Sequence, residues 1–173
     1  MDLTRFTQLI EQYLDPAASD LRDRLSKMVA SLCRGQPTVE FAAEFCRKPG
    51  FVSAYIFETV PVALHAAFHG ALDPDVRQSA QYAILCGGDT DSTASIASAV
   101  VGAWRGAKAI RSQGHQPILE LRFGGQSLID RLADAIAHGQ RAPRLPIARQ
   151  FLKSAIQIPV IFAHVGRRML PPY

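Results

Sequence analysis

One short segment constrains this chain more than its length does. It is Gly87-Gly88-Asp89-Thr90-Asp91-Ser92-Thr93, followed by a run dominated by small residues as far as Ala107. Two consecutive glycines open backbone angles closed to other residues and let a neighbouring group approach closely. Asp89 and Asp91 supply two carboxylates one residue apart, and Thr90, Ser92 and Thr93 add hydroxyl oxygens. An all-oxygen cluster suits a hard cation such as Mg²⁺, Mn²⁺ or Ca²⁺. Carboxylates this close repel each other unless a cation or hydrogen-bond donors offset them. A helix starting at Asp91-Ser92 offers free N–H groups and a positive dipole end, which also suit a phosphate or pyrophosphate. The plainer reading is that an Asp before a helix serves only as its N-cap. The double glycine, the flanking hydroxyls and the small-residue helix that follows together favour metal binding over a cap alone. Ala94, Ser95, Ala97, Ser98, Ala99, Gly102, Ala103, Gly106 and Ala107 then predict a central helix, closely packed on several sides, that holds the site rigid.

The rest of the chain reads as helices. Leu3, Phe6, Leu9, Ile10, Tyr13 and Leu14 recur at helical spacing until Asp15-Pro16. Leu21, Leu25, Met28, Val29 and Leu32 form a second stripe, ended by Gly35 and Pro37. Thr38 is expected to cap a third helix, and Pro49-Gly50 to turn the chain. The apolar stretch 51–68 is interrupted by Glu58 and Pro61. Further helices are expected over 76–85, from Asp91-Ser92 to about Ala109, over 127–138, and over 147–170 with a bend at Pro159, with a loop at 114–117. No alternating Val/Ile/Thr run is long enough for a sheet. The expected fold is all-α, a compact orthogonal helical bundle, with residues 1–173 as a single domain.

Charge and cysteines narrow the function classes. The net charge is +4, and much of it comes from Arg141, Arg144, Arg149, Lys153, Arg167 and Arg168. No dense basic stripe is interleaved with aromatics, so no nucleic-acid partner is expected. The first fifteen residues carry Asp2, Arg5, Glu11 and Asp15, unlike a signal peptide. The most apolar stretch, 155–165, is too short to span a bilayer. A soluble cytoplasmic protein without a membrane partner is expected. Cys33, Cys46 and Cys86 are odd in number and form no Cys-x-x-Cys, which fits a reducing compartment. Cys86 reads as a small buried hydrophobe. His65 and His69 share a helix face but lack a third ligand, so packing is the simpler role. Tyr55 and Trp104 are expected in the core.

Residues 87–97, continuing to Gly102-Ala103, closely resemble the signature of the ADP-ribosylglycohydrolase family, of the dinitrogenase reductase-activating glycohydrolase type. Glu58-Thr59-Val60-Pro61-Val62-Ala63-Leu64 is similar to a second family segment, and Arg167-Arg168-Met169-Leu170-Pro171-Pro172-Tyr173 to the tail of some bacterial members. The resemblance implies an all-helical fold with two Mg²⁺ ions in a cleft, Mn²⁺ being an alternative. The implied reaction releases ADP-ribose from modified protein side chains or related ADP-ribosyl compounds. Asp89 and Asp91 are then metal ligands, and Ser92 stands where the family has a ligating Thr. Gly87, Gly88 and Thr90 would face substrate, and no catalytic residue is assigned. Glu58 is either a buried carboxylate supporting the site or a solvated helix residue.

The family's first half carries a Gly-Asp-x-x-Gly segment, an acidic residue near the scissile bond and a Thr-Asp-Asp-Thr metal motif, none of which occurs in residues 1–173. The chain therefore resembles the second half, a partial fold, and the expected hydrolase acts as a partial chain. Self-association or a second chain completing the fold is expected, because a missing half exposes core surface. Two alternatives stand beside the hydrolase. One is a non-catalytic helical relative binding ADP-ribose, metal or a partner. The remote one is a haloacid-dehalogenase-like phosphatase, which needs a β-strand over 82–86 and makes Asp89 a nucleophile.

Overall fold

Helix-forming stripes separated by Gly, Pro and Asp predict the element boundaries closely. The computed structural model describes residues 2–112, 125–143 and 147–169. These contain α1 (Leu3–Tyr13), α2 (Ser19–Cys33), α3 (Thr38–Phe45), α4 (Ile56–Gly70), α5 (Gln78–Leu85), α6 (Thr90–Ser112), α7 (Gly125–Ala137) and α8 (Ile147–Met169). Among the described residues the only β-pairings are two isolated bridges, so the class is all-α as expected. The loop expected at 114–117 and the last four tail residues lie outside the described residues.

Two compact units are distinguished, Met1–His115 and Gln116–Tyr173. Within the first unit α4 is central and packs against α2, α3, α5 and α6. Its Val62 joins a cluster with Met28, Phe41, Val52 and Cys86, while its Ala63, Ala66 and Ala67 join another with Ala83, Ala97 and Val101. Small side chains on α4 let α5 and α6 approach closely. A Cβ on Gly70 would lie 2.6 Å from the Ser79 nitrogen, so that crossing admits only glycine.

Local chemistry explains a helix end and an irregularity inside α4; α6 is kinked at Gly106, which has φ +78° and ψ 161°. Gly35 has φ +67° and closes α2, with the Gln36 N–H donating to the Ser31 carbonyl at 3.2 Å. Pro61 lies inside α4 and has no N–H for the Phe57 carbonyl one turn back. The Arg24 guanidinium donates to that carbonyl at 3.0 Å. Two expectations change. Thr38 makes no capping bond, and its hydroxyl turns inward. The small-residue helix α6 buries one narrow face, Thr93, Ala97 and Val101, while Ser95, Ser98, Ala99 and Ala103 are exposed. Small residues permit close packing but do not bring a neighbour to every face.

Thr38 belongs to a polar chain through the core. His65 is fully buried and stacks on Phe41, with ring centroids 4.5 Å apart. Its Nε2 lies 3.1 Å from the Ser31 hydroxyl, which itself donates to Gln36 Oε1 at 2.7 Å. Ser31 must then accept from His65 Nε2–H, leaving Nδ1 to accept from the Thr38 hydroxyl at 3.0 Å. His69 Nδ1 approaches the same hydroxyl at 3.2 Å and completes the chain. The histidines thus serve packing, as expected.

Burial, followed by repulsion from His69, lowers the His65 pKa from 6.5 to about 4. As pH falls through that window the unfolded chain takes up a proton that the folded chain refuses. Stability should therefore fall between pH 6.5 and 4, by up to about 3 kcal/mol from this group. Urea midpoints across the window should show the slope in the native chain and a shallower one in His65→Gln. Equal slopes would contradict this role.

Candidate functional site

The site begins with a backbone clamp. Gly87 and Gly88 have φ +71° and +77°, angles that L side chains rarely adopt. The turn they form lies against the loop before α4. Val52 N–H donates to the Gly87 carbonyl at 3.3 Å, and Asp89 N–H donates to the Val52 carbonyl at 2.8 Å. A Cβ on Gly88 would stand 2.1 Å from the Val52 oxygen, and one on Gly87 would stand 2.3 Å from the Gly50 oxygen. The sequence reading reserved this glycine space for ion or ligand approach. On this side the chain's own loop fills it.

Glu58 holds that loop. Its side chain is 1% exposed, which favours the buried supporting role over the solvated one. Oε1 accepts the Arg47 N–H at 3.2 Å. Oε2 accepts the Ser53 N–H at 3.2 Å and the Ser53 hydroxyl at 2.6 Å. The Thr59 hydroxyl adds a bond to the Ser53 carbonyl at 2.7 Å. Burial alone would raise the Glu58 pKa, but the donors from Ser53 and Arg47 and the Arg47 charge outweigh it, and the net direction is down. An ionised carboxylate thus organises residues 47–53, and Val52 within them grips Gly87 and Asp89.

Beyond the clamp the chain enters α6. The Asp89 carbonyl accepts the Thr93 N–H at 3.1 Å and the Thr93 hydroxyl at 2.7 Å. Thr93 is thereby spent inside the fold and buried. Asp89 and Thr90 are half-buried, while Asp91 and Ser92 are exposed. Interaction with the neighbouring Asp89 side chain, followed by the N–H groups of Ser92 and Asp91, lowers the Asp91 pKa. Helix N–H groups therefore account for part of what the acidic pair does, in line with the capping reading. Two neighbouring carboxylates, with the Ser92 hydroxyl adjacent in sequence, offer oxygens of the kind a hard cation takes. Among the described residues no group of three or more His, Cys, Asp or Glu is placed to hold a metal ion.

Nearby residues settle several expectations. Cys86 is buried, and its thiol donates to the Tyr82 carbonyl at 3.1 Å. Burial pushes its pKa up to about 11, so it is a packing residue rather than a nucleophile. Residues 82–85 are the end of helix α5, not a strand, which removes the phosphatase alternative. Tyr55 and Trp104 are 45% and 48% exposed and are not core residues as expected. Sequence reading did not single out Val52, Ser53 or Arg47. Their contributions are largely backbone groups, for which residue type gives no signal; only Glu58 amid apolar neighbours hinted at them.

The profile of the ADP-ribosylglycohydrolase family matches residues 2–146. No curated protein and no solved structure matches.

Two substitutions test the clamp. Gly88→Ala combines left-handed strain with a backbone clash, whereas Gly35, at φ +67°, has nothing within 4 Å of its would-be Cβ. Gly35→Ala should cost about 1 kcal/mol, and Gly88→Ala at least about 2 kcal/mol, read from urea unfolding; equal costs would rule out the clash. Glu58→Gln should lose about 1–3 kcal/mol, because a carboxamide cannot accept all three donors. A change no larger than that of a surface substitution would refute the bracing role.

Proposed function

This chain belongs to the ADP-ribosylglycohydrolase family, and from that premise we propose that it takes part in metal-dependent hydrolysis of the anomeric bond of an ADP-ribosyl group. The substrate class is a modified protein side chain or an ADP-ribosyl small molecule. The observation that carries the reading is the pair of carboxylates, Asp89 and Asp91, at the start of α6 on a turn fixed by Val52.

The donor set fits one side of a Mg²⁺ or Mn²⁺ centre. Asp89 and Asp91 would hold the ion through carboxylate oxygens, with the Ser92 hydroxyl as a third ligand. An octahedral ion needs about six oxygens, and a two-ion centre needs more. Water, the substrate and further residues must complete it. When bound, such ions supply charge stabilisation and orientation for the departing group. The chain's own contribution is placement. The Val52 clamp fixes the Asp89 backbone, Thr93 anchors the Asp89 carbonyl into α6, and the positive end of α6 favours an anionic group such as a pyrophosphate. Gly87, Gly88 and Thr90 form the turn beside that end. Cys33, Cys46 and Cys86 are free thiols, which suits a reducing cytoplasm.

A second reading has its own support. The absence of a third carboxylate at this point, among the described residues, favours a relative that binds metal or ADP-ribose without cleaving it. Mn²⁺ titration followed by electron paramagnetic resonance tests what the two readings share, and an ADP-ribose release assay separates them. Asp89→Asn and Asp91→Asn should each weaken Mn²⁺ binding roughly tenfold or more. Release that needs divalent metal and is lost in both variants supports the hydrolase. Metal binding without release supports the second reading. Metal binding unaffected by either substitution would overturn both.

A further inference from the structure

Helix α8 differs from the rest of the chain in exposure and in charge. It lies beyond the span matched by the family, and every described side chain on it is exposed. At about 100° per residue, positions 147, 151, 158, 162, 165 and 169 fall on one arc. Ile147, Phe151, Phe162 and Met169 are 83%, 77%, 72% and 75% exposed. Positions 149, 153, 164 and 167 fall on the opposite arc and carry Arg, Lys, His and Arg. Ile156 and Val160 interrupt the second arc, but the largest apolar groups gather on one side of the helix and Arg149, Lys153 and Arg167 on the other.

The charge asymmetry indicates what would cover the apolar face. Residues 135–173 contain six Lys or Arg and no Asp or Glu, whereas residues 1–134 contain 13 basic and 15 acidic residues. A helix that packs on a protein core and turns its polar face to water ordinarily carries both signs there. Pairing two copies through α8 would set one basic segment against another. A bilayer with anionic headgroups accepts both faces at once, taking the apolar arc into the acyl boundary and the cations at the phosphates. No described helix is long and apolar enough to cross a membrane, so the helix would lie along the surface.

We propose that α8 is an amphipathic anchor that docks this protein on an anionic lipid surface. This revises the expectation of no membrane partner, which rested on the lack of a spanning segment. It does not depend on the ADP-ribosyl chemistry proposed above.

Flotation of the full chain with vesicles tests it. The chain should partition into phosphatidylcholine vesicles containing phosphatidylglycerol at least about tenfold better than into phosphatidylcholine alone, and raised salt should weaken that partition. Phe151→Gln/Phe162→Gln should lose about tenfold or more. Phe162→Trp should show a blue-shifted emission with anionic vesicles only. The proposal is overturned by equal partition into both vesicle types or by indifference to salt. It is equally overturned by no flotation together with sedimentation as a dimer that the double substitution dissociates, which would assign the face to a second copy.

Discussion

Two hydrogen bonds from the backbone of Val52, one to Gly87 and one from Asp89, set the position of everything else at the candidate site. Neither belongs to a sheet, and each is worth only about 1 kcal/mol. Their importance is geometric. They join the loop before α4 to the turn before α6, and the two glycines exist because any Cβ there would strike that loop. Once Asp89 is fixed, Thr93 draws its carbonyl into α6, and Asp91 follows on the first turn.

Buried polar groups support this arrangement in two ways. Glu58 faces donors from Arg47 and Ser53, so it stays ionised and shapes the loop. His65 faces hydroxyls, so it stays neutral and ties α2 and α3 to α4. One is an anion held by donors, and the other a base kept uncharged by burial. The same helix carries both, with Val62 in one hydrophobic cluster and Ala63, Ala66 and Ala67 in the other. Helix α4 is thus the frame on which the turn is mounted.

Much of this was legible in the residues. Apolar spacing and breakers such as Asp15-Pro16 and Gly35 gave the helices, because local geometry decides them. The acidic pair with its double glycine pointed to the candidate site, because few other local needs call for that combination. Tertiary choices were less visible. Thr38 looked like a cap, since nothing local shows that His65, 27 positions away, competes for its hydroxyl. The small residues of α6 promised burial all round, but small size permits contact without producing it. Val52 was silent because it acts through its peptide groups. Tyr55 and Trp104 are exposed because an aromatic residue type does not say which side of a helix or loop the fold covers.

In the proposed function the Val52 clamp is the device that presents Asp89 and Asp91 to a hard divalent cation. Anomalous diffraction from crystals grown with Mn²⁺ tests that most directly. The predicted result is a peak within direct coordination distance of a carboxylate oxygen of each side chain, with the Val52–Asp89 bond intact. An unoccupied pair beside an intact clamp, at Mn²⁺ concentrations that support binding in solution, would contradict it.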